Sequence, residues 1–200
     1  MASLTEQQQK VSALFKKTPL IISGPCSAET EEQVMTTARG LANTGKVDIM
    51  RAGIWKPRTR PGAFEGAGNE ALVWMNEIRA EFGFKLCTEV ATVSHVEAAL
   101  KAGFDMLWIG ARTTTNPFSV QEIAEALKGV DIPVMVKNPI NPDLKLWIGA
   151  IERLLKIGIQ DVSAIHRGFS VYEQSKYRNA PNWQIPIDLK QLLPDITLLC

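Results

Sequence analysis

The chain has 200 residues, 46% of them hydrophobic, and its 22 Lys+Arg against 21 Asp+Glu leave a formal charge of +1. That length suits one sizeable core, and so even a balance of charge argues against a nucleic-acid or membrane-surface partner, so any anion site has to be local. Three widely separated cysteines make no secreted disulfide framework, Met1 to Lys10 lack a signal-peptide core, and no apolar run nears the ~20 residues of a membrane helix, all of which points to the cytoplasm.

Leu4, Val11, Leu14 and Phe15 stand at roughly helical spacing and predict an amphipathic lead-in over residues 1–18. From residue 19 onward, strand and helix patterns alternate. Leu20 to Ser23 reads as a strand, and Thr30 with Gln33 marks a capped helix start that Gly45 closes. Strand Val47 to Met50, helix Asn69 to Phe82, strand Phe84 to Cys87, helix Thr92 to Ala102, strand Met106 to Ile109 and helix Ser119 to Leu127 follow. The series ends with strand Pro133 to Val136, helix Asp143 to Ile157, strand Asp161 to Ile165, a looser helix Ile187 to Leu193 and strand Ile196 to Leu199.

Such alternation predicts an α/β fold of parallel strands joined by crossovers. An open doubly wound sheet shares the rhythm but concentrates its ligand contacts near one switch point. Here six strands each lead into a charged or metal-binding side chain: Cys26, Arg51, Glu89, Arg112, Lys137 and Arg167. A (β/α)8 TIM barrel gathers all its strand carboxyl ends on one face, so it is the preferred reading. A whole barrel takes ~250 residues, so residues 19–200 are expected to form an incomplete barrel domain of about seven strands, with the C-terminal part missing and unpaired edges on the first and last strands. No Gly-x-Gly-x-x-Gly follows the first strand, and the string from Gly62 to Gly68 has the wrong place and spacing for nucleotide binding.

The loop after the second strand, Arg51-Ala52-Gly53-Ile54-Trp55-Lys56-Pro57-Arg58-Thr59-Arg60, puts four cations in ten residues. Guanidinium forks and an ammonium suit a phosphate, although a solvated basic loop has the same composition. Gly110-Ala111-Arg112, Lys137 and Arg167 add cations after the fourth, fifth and sixth strands. Singly, each fits a salt-bridge partner; repetition at equivalent places favours a multiply charged anion. Lys137 at a strand end also leaves open a Schiff-base aldolase.

Gly24-Pro25-Cys26-Ser27-Ala28-Glu29, Lys56-Pro57-Arg58-Thr59, Gly110-Ala111-Arg112, Lys137 and Arg167-Gly168, in that order, resemble the 3-deoxy-D-arabino-heptulosonate 7-phosphate (DAHP) synthases, in particular the microbial group that is also similar to 3-deoxy-D-manno-octulosonate 8-phosphate synthase. The resemblance implies condensation of phosphoenolpyruvate with erythrose 4-phosphate and release of phosphate, at the entry to chorismate and aromatic amino acids. It implies that Arg112, Lys137 and Arg167 hold phosphoenolpyruvate, assisted by Lys56 and the Gly110-Ala111 backbone. Arg51 lines the same pocket, Lys56-Pro57-Arg58-Thr59 receives the aldose phosphate, and Glu89 orients the attacking water. Where the octulosonate enzymes carry Lys-Ala-Asn-Arg this chain has Lys-Pro-Arg-Thr, which favours the four-carbon sugar over arabinose 5-phosphate.

The same resemblance makes Cys26 a thiolate ligand of a divalent ion of the Mn, Fe, Co or Zn class. The family's other ligands, a His, a Glu and an Asp, belong to segments beyond residue 200, and neither His95 nor His166 stands in a matching place. The chain alone is therefore expected to turn over little, and a phosphate-binding but inactive fragment is the reading from another class. A homo-oligomer, and a chorismate mutase segment beyond residue 200, are further expectations of the resemblance.

Overall fold

The computed structural model describes residues 17–58, 60–173 and 176–200; the predicted lead-in helix and Thr59 lie outside the described residues. The chain divides into two compact units, Met1–Leu107 and Trp108–Cys200.

In the first unit, strands β1 (Ile22–Ser23), β2 (Ile49–Ala52) and β3 (Lys85–Val90) run parallel, with Ile22 opposite Ile49 and Met50 opposite Leu86. Helices α1 (Glu31–Thr44), α2 (Glu70–Phe82) and α3 (Val93–Lys101) alternate with them. The predicted start of α1 is realised: Thr30 Oγ1 accepts from the Gln33 amide at 3.1 Å, while the Gln33 side chain accepts from the Glu29 amide at 3.0 Å. Gly45 closes the helix in the left-handed conformation. Strand β1 is shorter than predicted because Asp48 intervenes, its carboxylate accepting from the Ile21 amide and its own amide donating to Ile21 O. Strand β2 accordingly starts at Ile49 rather than Val47. Strand β3 in turn reaches Val90, three residues further than predicted, because it stays paired along β2 and Thr88 Oγ1 donates to Ala52 O at 2.9 Å. Buried Ile49, Met50, Leu86 and Cys87 from the strands meet Val34, Ala38, Met75 and Ile78 from the helices.

One buried charge organises the base of this unit. Asp105, 6% exposed, accepts from the Leu86 amide at 2.9 Å and pairs with Arg79 and Lys85, each at 3.0 Å. Its carboxylate therefore locks α2 to the start of β3 with both oxygens engaged.

Strand β4 (Met106–Ile109), buried throughout and placed as predicted, spans the division between the units. In the second unit, β5 (Val134–Lys137), β6 (Val162–Ile165) and β7 (Thr197–Leu199) are parallel neighbours, with Lys137 opposite Ile165. The helices are α4 (Ala111–Thr114), α5 (Pro117–Ala126), α6 (Leu144–Lys156) and α7 (Gln184–Leu192). Helix α5 starts two residues earlier than predicted because Asn116 caps it, accepting from the amides of Phe118 and Ser119, and Pro117 fills the first position. Helix α7 likewise begins before Pro186, whose missing N–H costs nothing in a first turn. Helix α6 buries Trp147, Ile151 and Leu154, and the Trp147 indole donates to Val136 O at 3.0 Å, fixing the helix on β5. No described helix is long and apolar enough to cross a membrane.

Candidate active site

In the first unit, four of the predicted site residues come from consecutive strands and their loops. Gly24, at φ +148°, lies so close to β2 that a Cβ would sit 1.9 Å from Arg51 O, so only glycine lets the loop carrying Cys26 cross there. Gly53 has no room either: its Cβ would meet Cys26 O at 2.4 Å and Lys56 Nζ at 2.9 Å. The Lys56 side chain uses that gap to fold back. Its ammonium stands 3.5 Å from Glu89 Oε2 and 3.7 Å from Cys26 Sγ. Glu89 is buried and Cys26 exposed, so the lysine bridges a carboxylate in the interior and a thiol at the surface.

The loop around Lys56 is pinned by its backbone. The Lys56 amide donates to Glu65 O at 2.7 Å, Ala28 to Gly53 O at 3.0 Å, and Arg58 Nε to Phe64 O at 2.6 Å. Arg58 is exposed and Pro57 half-buried. Arg51 and Glu89 stand inside β2 and β3 rather than after them. Trp55 stacks on His95 with centroids 4.4 Å apart and planes at 6°. His95 Nδ1 accepts from the Ala91 amide at 3.3 Å. Burial, opposed by the charge of Glu89, holds that imidazole below its usual range.

The second unit assembles the other cations. Lys137 is the last residue of β5 and its ammonium lies 5.4 Å over the Trp108 ring. Gly110 caps the four-residue helix α4, which carries buried Ala111 and exposed Arg112 and was too short to show a periodicity. Arg167, half-buried and two residues beyond β6, is held below its ordinary value first by burial, then by the charges of Arg112 and Arg178. Its guanidinium donates to Asn179 Oδ1. Three guanidiniums thus share one electrostatic neighbourhood, and Lys137 sits on the adjacent strand end.

Asn138, Asn179 and Arg178 were missed in the sequence. The chain offered a weak signal for the first, an amide directly after a strand-end lysine. His166, set aside as a metal ligand, is buried, contacts Pro181 O at 2.6 Å and packs beside Trp183.

The described residues contain no group of three or more His, Cys, Asp or Glu able to hold a metal ion. Cys26 Sγ has the Lys56 ammonium 3.7 Å away. The donor set present therefore does not fit a metal centre by itself.

Parallel strands in β/α alternation, with a lysine, a carboxylate and clustered arginines on strand ends and the loops after them, define an α/β protein of the β/α-barrel class. Comparison with known proteins makes this particular: the DAHP synthetase I family matches residues 4–196, and the chain belongs to that family. It is 28% identical over 171 residues to a phospho-2-dehydro-3-deoxyheptonate aldolase of Thermotoga maritima, a match covering 86% of this chain and 49% of that protein. The crystal structure of the Thermotoga maritima phospho-2-dehydro-3-deoxyheptonate aldolase (DAHP synthase) superposes with a TM-score of 0.73 at 26% identity, over 86% of this chain and 48% of that one. A truncated form of 3-deoxy-D-arabino-heptulosonate 7-phosphate synthase from Thermotoga maritima shares the fold, with a TM-score of 0.69 at 24% identity over 86% and 60% of the two chains. The chain spans about half the length of the curated relative it matches.

Proposed function

We propose that residues 19–200 contribute to a 3-deoxy-7-phosphoheptulonate synthase, which joins phosphoenolpyruvate to erythrose 4-phosphate with release of phosphate. The observation that carries the reading is that the charges of Arg112 and Arg178 act on Arg167 while Lys137 ends the strand beside β6, a local concentration of cations suited to a multiply charged anion. In this reading those three hold phosphoenolpyruvate, and the Gly110-Ala111 backbone supports Arg112 at the start of α4.

Lys56, Pro57, Arg58 and Thr59 receive the aldose phosphate, and Arg51 adds positive charge from β2. Glu89, buried beside Lys56, accepts a hydrogen bond from the water that adds to the enol carbon. The Lys56 ammonium stands 3.5 Å from its Oε2 and holds the side chain in place. Carbon three of phosphoenolpyruvate bonds to the aldehyde carbon, water supplies the oxygen at carbon two, and phosphate departs. A divalent ion of the Mn, Fe, Co or Zn class belongs to the family reading with Cys26 as one ligand. Cys26 alone does not make a metal site, so every step assigned here rests on side chains of this chain.

Calorimetric titration with phosphoenolpyruvate tests the reading. Arg112→Ala is expected to weaken binding far more than Arg39→Ala, whose guanidinium only makes an exposed pair with Glu81 at 3.5 Å. Equal losses would sink it. Phosphate release with erythrose 4-phosphate but not with arabinose 5-phosphate separates the heptulosonate reaction from the octulosonate one, and a borohydride-trapped lysine would favour the Schiff-base aldolase instead.

A further inference from the structure

Lys137 ends β5, and Arg167, 30 positions later in the sequence, lies two residues beyond the neighbouring strand β6. Asn138 is fully buried, and its side chain makes three hydrogen bonds. Its Oδ1 accepts from the Arg167 amide at 2.7 Å, and its Nδ2 donates to Gly168 O at 2.7 Å and to Pro139 O at 2.8 Å. Its own amide donates to Ile165 O at 2.9 Å, which extends the β5–β6 ladder one residue past the strand end. Both donors of the amide are used, so the side chain has one orientation and no spare hydrogen to offer a ligand.

We propose that Asn138 is a positioning residue that fixes the Arg167-Gly168 backbone against Lys137, presetting the two cations for one shared anion. An amide suits this role because it braces without charge. A carboxylate there would face the carbonyl oxygens of Gly168 and Pro139, and would also neutralise the arginine that the substrate must find. The assignment rests on the reading of Lys137 and Arg167 as holders of phosphoenolpyruvate.

A double-mutant cycle in phosphoenolpyruvate affinity, with Asn138→Ala and Arg167→Ala singly and together, tests it alongside backbone amide hydrogen exchange at Arg167. Asn138→Ala should lower affinity by about ten-fold or more when Arg167 is present, and by less than about two-fold in the Arg167→Ala background. The Arg167 amide should be protected in the parent chain and lose protection in the variant. Asn116→Ala, which removes the cap of α5, controls for general destabilisation and should leave affinity unchanged. Equal losses in both backgrounds, or an Asn138→Ala protein that folds and binds like the parent, would overturn the role. A parent chain that binds no phosphoenolpyruvate while its Arg167 amide stays protected would overturn the functional reading and, with it, the purpose assigned to Asn138.

Discussion

Replacing Lys56 with Met keeps the aliphatic stem and removes the ammonium from between Glu89 and Cys26. The two side chains of the pair are 11% and 6% exposed, and the charges stand 3.5 Å apart. At that separation the attraction is about 5 kcal/mol at an effective dielectric near 20, most of it offset by the cost of taking both groups out of water. The distance lies beyond the usual range for a charge-assisted hydrogen bond, so Lys56→Met is expected to cost roughly 2 to 3 kcal/mol, below the 3 to 5 typical of breaking a tightly made buried pair. Glu89→Gln removes the charge and preserves the shape, and the double variant should recover about 1 to 2 kcal/mol of the combined loss. Urea denaturation of the four proteins, followed by tryptophan fluorescence at constant slope, supplies the cycle. A coupling below about 0.5 kcal/mol would show that the Lys56–Glu89 pair does not stabilise the fold.

Asp105→Ala should be among the most damaging changes in the first unit, by about 2 to 4 kcal/mol, because the Leu86 amide loses its acceptor while Arg79 and Lys85 lose their shared partner; a midpoint within error of the parent would refute the network's importance. Gly53→Ala is expected to displace the Cys26 carbonyl or the Lys56 ammonium, weakening any aldose-phosphate binding together with stability, and wild-type values for both in a calorimetric and thermal comparison would contradict the close approach. His95 should titrate below its ordinary 6.5, observable by NMR because the chain has only two histidines. Below 6.5 the unfolded chain takes up the proton first, so stability falls as the pH drops from there through the folded-state value and levels off below it. His95→Gln should remove that part of the pH dependence, and an unchanged profile would refute it.

How much of this was legible depended on the range of the interaction involved. Strand Met106–Ile109 and the Thr30 cap were written locally, in an apolar run and in a hydroxyl placed three residues before a waiting amide. Cys87, Trp108 and Trp147, each inside a predicted strand or helix, are buried. Helix α4 has four residues, about one turn, so no hydrophobic period could reveal it although it carries Arg112. Arg51 and Glu89 looked like loop residues because strand length is set by the neighbouring strand rather than by the run itself. The hardest case was Asn138, since nothing near position 138 reports that its amide will meet Arg167 and Gly168. The strand-end cations themselves were legible as a recurrence, and each was found within the unit that holds it.

Trp108 gives the second unit an optical consequence. Its indole is almost wholly shielded from water and has the Lys137 ammonium 5.4 Å above it, so the ring sits in a fixed electric field whose source is the same group assigned to a ligand. On the proposed assignment, a dianion bound at Lys137 would cancel part of that field and shift the emission of the ring without touching it. Occupancy of the proposed site would then be readable without a label.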